Sequence, residues 1–142
     1  MYKDILLAID LADESSWKKA LPIAVEHARA FGTRLHVMTV VPDYGMSIVG
    51  QYFPKGHERK MIDETNDRLH AFIKERVPDD IRVQHIVGHG GVYSEILRVA
   101  DELRADLIVM ASHRPELKDY LLGPNAARVV RHANQSVLVV RD

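Results

Sequence analysis

The chain contains no cysteine. That absence removes disulfides, thiolate nucleophiles and every zinc site built on sulfur ligands. It also lacks an excess of either charge, because 19 basic residues against 20 acidic ones leave a formal net charge of −1. A protein that grips nucleic acid through its phosphates needs a basic surface, so nucleic acid is not expected as a partner. No apolar run approaches the ~20 residues needed to cross a bilayer, and Met1-Tyr2-Lys3-Asp4 runs into a strand without a signal-peptide pattern. The expectation is a cytoplasmic protein with no membrane partner. Internal repeats and low-complexity segments are missing too. The 8 histidines include no HExxH spacing, and His85 and His89 are expected at opposite ends of a turn, so no metal site is expected.

What is present fits one domain over residues 1–142, with 46% apolar and 27% charged residues. Residues 2–9 read as a strand from which Asp10 emerges, and Asp13-Glu14-Ser15-Ser16 offers polar caps for a helix. Trp17, Ala20, Leu21, Ala24, Ala28 and Phe31 form that helix's apolar stripe, Gly32 stops it, and Pro22 should kink it. Leu35 to Val41 is a second strand. The stretch DYGMSIVGQYFPKG after it is long enough to be a lid, a variable surface loop or a dimer contact. A helix with Met61, Leu69, Phe72 and Ile73 inward runs from His57 to Val77, before Pro78. Ile81 to Val87 alternates as a strand, and Gly88-His89-Gly90-Gly91 reads as a flexible turn rather than a phosphate cradle. Tyr93, Ile96, Leu97, Ala100 and Leu103 mark a third helix. Strand-helix alternation of this kind requires a parallel sheet with helices on both faces and right-handed crossovers.

The stretch from Asp106 to Asp142 carries the most information. Leu107-Ile108-Val109-Met110-Ala111 is apolar on both faces and β-branched, the mark of a strand buried between helix layers. A polar loop, Ser112-His113-Arg114-Pro115, leads to Leu121-Leu122-Gly123-Pro124-Asn125, then a helical pattern, then Val137-Leu138-Val139-Val140. The segment DLIVMASHRP…LLGPNAARVVRHANQSVLVV resembles the C-terminal half of the universal stress protein family. The opening strand ending in Asp10, the Val87-Gly88 pair and Glu95-Ile96-Leu97 extend that resemblance over essentially the whole chain. It implies an α/β, Rossmann-like fold: an open five-stranded parallel sheet in the order 3-2-1-4-5, with a stress-response role.

It further implies a homodimer and an adenine nucleotide (ATP, ADP or AMP, with magnesium as a candidate companion) as ligand. In such a sheet the crevice lies at the strands' carboxyl ends, where the winding reverses between first and fourth strands. By resemblance, Ala8, Ile9, Asp10, Val40 and Met110 would line the adenine and ribose end. Ala111, Ser112, His113 and Arg114 would meet the phosphates, together with the helix start at Gly123, Pro124 and Asn125. Ala111 and Arg114 stand where the nucleotide-binding branch has glycines, and Pro124 replaces its Ser or Thr. Each hydrogen bond to a charged group is worth roughly 1.5–3 kcal/mol, so lost donors matter. Proline near a helix start still lets Asn125 and Ala126 present N–H groups, and His113 and Arg114 can bring positive charge.

Several residues have plainer readings. Asp10 could be only a turn or cap residue, and His113 and Arg114 solvated loop. Glu116 and Asp119 could assist a magnesium-bound phosphate or simply be solvated. Arg128, Arg131 and His132 read as an exposed or dimer-facing edge. Ser112 beside His113 is adjacency, not a nucleophile–base pair, so no efficient enzyme is expected; slow hydrolysis or autophosphorylation would be side activities. Two alternatives stand beside the binding module. One is the same fold with a degenerate crevice, acting as an interaction module. The other is an enzyme like the adenine-nucleotide α-hydrolases, against which the glycine-free Leu11-Ala12-Asp13-Glu14-Ser15 counts. The β-branched run Ser136 to Val140 should form a sheet edge that a second copy could pair with.

Overall fold

The computed structural model describes residues 1–42, 56–112 and 123–141. Five strands, β1 (Asp4–Ala8), β2 (Arg34–Pro42), β3 (Val83–Gly90), β4 (Leu107–Ala111) and β5 (Ser136–Val140), form one sheet in the order β3-β2-β1-β4-β5. Every neighbouring pair is parallel. Among the described residues four helices connect them: α1 (Ala20–Phe31), α2 (His57–Arg76), α3 (Val92–Glu102) and α4 (Gly123–His132). The open parallel sheet read from the sequence is therefore observed, with its order.

Strand periodicity divides the core in two. Ile5, Leu7, Val37 and Val109 pack against α1 and α2, with Ala24, Leu69 and Ile73. Leu6, Ala8, Met38, Ile108 and Met110 point the other way, against Ile96 and Ala100 of α3 and Ala126 and Val129 of α4. Helices thus cover both faces, as a parallel sheet demands. Among the described residues no helix is long and apolar enough to cross a membrane.

Three local expectations need correction. Asp13 caps not α1 but a 3-10 turn, Glu14–Ser16, by accepting the Ser15 N–H. This turn consumes the residues assigned to the start of the helix, and α1 begins only at Ala20. Trp17 therefore leaves the helical stripe. Its ring meets Phe72 edge-on at 5.1 Å and lies under the Arg76 guanidinium at 4.3 Å. Phe31 is exposed, and Val25 takes its place inside. Pro22 becomes the third residue of α1. In the first turn its missing N–H removes no bond within the helix, so the reason for a kink disappears. Gly32 does stop the helix, with a left-handed φ of 61° and its N–H directed to Ala28 and Arg29 carbonyls. Finally, β3 starts at Val83 and runs through Gly90, paired as far as Pro42–Gly90. Gly88, His89 and Gly90 are strand rather than turn, Gly91 precedes α3 as its cap residue, and His85 and His89 both lie on β3. Residues 43–55 of the long loop after β2 lie outside the described residues.

A polar ladder crosses the sheet near its amino end. His36, 2% exposed, sets Nε2 2.9 Å from Asp4 Oδ1 and Nδ1 2.8 Å from Gln84 Oε1. It links β1, β2 and β3, pairing in register with Gln84 and reaching diagonally to Asp4, two residues before its own register partner Leu6. A buried polar group is stable only when its partners are in place, so this ladder favours a single strand register.

The position of Pro22 gives a direct test. Pro22→Ala should cost under about 1 kcal/mol, through a more flexible unfolded chain. A gain approaching the ~3 kcal/mol penalty of an interior proline, measured by chemical denaturation, would place Pro22 inside a longer helix.

Candidate functional site

The winding reverses between β1 and β4, where Ala8 stands in register with Met110 on one side and Met38 on the other. In doubly wound sheets the ligand crevice opens at this point, beyond the carboxyl ends of the strands. The five apolar residues expected there are all buried, but alternation divides them. Ala8, Val40 and Met110 belong to the α3/α4 core. Ile9 and Ala111 point into the α1/α2 core. The structure brings Ala8 and Met110 side by side, with Val40 one strand further. The Ile9 N–H donates to the Met38 carbonyl and the N–H of Ser112, which follows Ala111, to the Val140 carbonyl, each at 2.9 Å.

Asp10, half-buried, opens the turn after β1. Its Oδ1 accepts the Ala12 N–H at 3.0 Å, and its carbonyl accepts the Asp13 N–H at 3.0 Å. Buried Ser16 locks this turn: its Oγ accepts the Asp10 N–H at 2.8 Å and lies within donating distance of the Asp10 and Asp13 carbonyls. Asp10 thus has the turn role that its sequence position allowed. Beside this turn a cavity of about 590 Å³ has Glu14, Ser15, Lys18 and Lys19 on its described wall. Sequence reasoning passed over Lys18 and Lys19, because two lysines in a polar turn carry no signal of their own.

Ser112 follows β4 and is half-buried. α4 begins at Gly123, which puts Pro124 and the half-buried Asn125 in its first turn. First-turn N–H groups have no partner within a helix, and the positive end of its dipole favours an anion. His113, Arg114, Glu116 and Asp119 lie outside the described residues. Arg128, Arg131 and His132 are exposed on α4, with Arg128 over the Tyr93 ring at 5.3 Å and His132 stacked on it at 6.1 Å.

The end of β3 holds a group that had no assigned role in the sequence. Glu95 of α3 folds back over Gly88, where an added Cβ would sit 3.2 Å from Glu95 Oε1 and 3.4 Å from Met38 Cε. The same Oε1 accepts the His89 N–H at 3.1 Å. Arg98 donates to Glu95 through Nε at 2.7 Å and Nη2 at 3.0 Å, and to Glu102 through Nη1 at 2.8 Å. An acid in the first turn of a helix that follows a glycine-rich strand end was the available signal.

Comparison with known proteins decides the family. The model of the universal stress protein family matches residues 1–141. This chain belongs to that family. It is 32% identical to universal stress protein G of Escherichia coli O157:H7, an alignment covering 99% of this chain and 100% of the other. The solved structure of MJ0577, a universal stress protein of Methanocaldococcus jannaschii, superposes with a TM-score of 0.71 at 27% identity, covering 100% and 97% of the two chains. A universal stress protein solved in complex with cAMP gives a TM-score of 0.61 at 25% identity, covering 99% and 97%.

In this universal stress protein the Glu95 clamp has a measurable electrostatic signature. Hydrogen bonds from Arg98 hold the Glu95 carboxyl below its ordinary value of 4.5, against partial burial, which pushes it up, and with help from the His89 N–H. A carboxyl depressed in the folded state contributes stability that is complete above its unfolded value and is lost as pH falls through the folded value. Glu95→Gln should therefore flatten the loss of stability in denaturation midpoints as pH falls below the ordinary carboxyl value of 4.5. Equal acid slopes for parent and variant would mean that Glu95 titrates alike in folded and unfolded chains.

Proposed function

We propose that this universal stress protein is a cytoplasmic module of the stress response that binds an adenine nucleotide in the crevice between β1 and β4. The observation that carries the reading is the pairing of that crevice with full-length likeness to a family member solved with cAMP. Ala8, Val40 and Met110 supply the apolar base for the adenine and ribose, with the main chain of Ile9. Asp10 spends Oδ1 on its own turn and offers Oδ2 to a ribose hydroxyl. Ala111, Ser112, His113 and Arg114, with the first turn of α4 from Gly123 to Asn125, receive the phosphates and an accompanying magnesium ion. Pro124 keeps the helix start intact while forgoing one N–H.

Denaturing the purified protein and analysing the released small molecules by chromatography and mass spectrometry should yield an adenine nucleotide. Millimolar ATP, ADP, AMP or cAMP should raise the melting midpoint, since a ligand selective for the native state stabilises it by RT ln(1 + [L]/Kd). Neither released nucleotide nor any shift would favour the degenerate-crevice module instead.

The same reading includes a homodimer through β5. This strand pairs with β4 on one side, and Val137, Leu138 and Val139 are only half-buried while Val140 is in the core. A β-branched edge of this kind is satisfied when a second copy adds antiparallel about a twofold axis. Alternation identifies Val139 as the residue for the test. Val139→Lys should shift the protein from dimer to monomer in sedimentation analysis. A wild type that is already monomeric at micromolar concentration would rule this interface out.

A further inference from the structure

We propose that His70 and His85 together bind a divalent transition-metal ion at the seam between α2 and β3. The two residues are distant in sequence, and the fold sets their ring centroids 5.0 Å apart with planes tilted by 56°. Metal–nitrogen bonds of about 2.0–2.1 Å, at angles between square-planar and tetrahedral, hold two imidazole centroids roughly 4.5–5.3 Å apart. The observed separation falls within that span.

The ring nitrogens are also uncommitted. Among the described residues neither imidazole makes a hydrogen bond or an ion pair. Other histidines here do spend theirs: His27 Nδ1 on the Ile23 carbonyl, His36 on Asp4 and Gln84, and His89 Nε2 on Glu58 at 2.9 Å. A neutral imidazole with an unused nitrogen is the commonest protein ligand for such metals.

The backbone under both ligands is fixed. His70 follows Leu69, which has no exposed surface, and precedes buried Ile73 by less than one turn. His85 is in register with buried Val37 of β2. Core packing thus holds the two Cα positions, while His70 is exposed and His85 half-buried at the seam. A pair held in this way needs little reorganisation to close on an ion. No group of three His, Asp or Glu converges among the described residues, so water completes the coordination. Two nitrogen ligands favour Cu²⁺ and Ni²⁺ over Zn²⁺, and exclude Mg²⁺ and Ca²⁺, which require oxygen. The site lies on the α1/α2 side of an edge strand, two strands away from the β1/β4 crevice, and would staple α2 to β3.

The test uses the full chain without a histidine tag, freed of metal by chelation, titrated with Cu²⁺, Ni²⁺, Zn²⁺ and Mg²⁺ in calorimetry and thermal melts. One Cu²⁺ or Ni²⁺ per chain should bind and raise the melting midpoint, with a smaller response to Zn²⁺ and none to Mg²⁺. His70→Ala and His85→Ala should each weaken binding by at least about tenfold, whereas His89→Ala should leave it unchanged. Absence of binding in the parent, or binding that survives both single substitutions, would overturn the site and leave the contact as ring packing. Should His85→Ala fail to fold, His70→Ala on the exposed face of α2 decides alone.

Discussion

Closure of both faces of the central strand pair is the constraint on which the other features depend. β1 and β4 lie between neighbours on either side, so their backbone groups are spent in ladders. Their side chains alternate into two helix-covered cores, and Leu6, Leu7, Ile108 and Val109 have no exposed surface at all. Full burial of each such side chain stabilises the fold by about 1.5–3 kcal/mol. With both faces and both neighbours occupied, polar chemistry is left only the strand ends. In doubly wound sheets the reversal of winding, here between β1 and β4, is where a ligand crevice opens.

Polar groups at the two ends of the sheet do different work. At the carboxyl end, Ser16 closes the Asp10 turn and Glu95 clamps the last residues of β3. These contacts hold main chain in place at the carboxyl ends of β1 and β3. Nearer the amino end, Asp4, His36 and Gln84 join three strands, and Asp106 accepts the Lys3 and Asp4 N–H groups. A one-residue slip of β2 would move His36 to the opposite core and leave Asp4 and Gln84 without their partner. The ladder therefore selects among registers that the apolar runs alone would tolerate.

Family membership and crevice position are thus separable from ligand identity. Similarity to universal stress protein G and MJ0577 runs over 99% of this chain. The proposed phosphate end rests on residues 112–125, where this chain carries Arg114 and Pro124 and where His113 and Arg114 lie outside the described residues. In the proposed reading, nucleotide preference rests on how these few side chains present charge, a matter of a few kcal/mol.

By itself the sequence determined the elements whose signal is local. Leu107 to Ala111 had to be a strand, because a short β-branched run flanked by polar residues buries both faces. Gly32 had to end a helix, because the left-handed conformation there suits glycine. Strand-helix alternation required a parallel sheet, and the family resemblance supplied its order. Only the tertiary structure decided that Trp17 leaves the helix for Phe72 and Arg76, that β3 continues through Gly90, and that Ile9 and Ala111 face away from Ala8 and Met110. It alone brought Glu95 onto Gly88, and His70 to His85. The reason is that periodicity and turn chemistry are written into neighbouring residues, whereas these contacts join segments whose meeting depends on register, strand parity and the seating of each helix on the sheet.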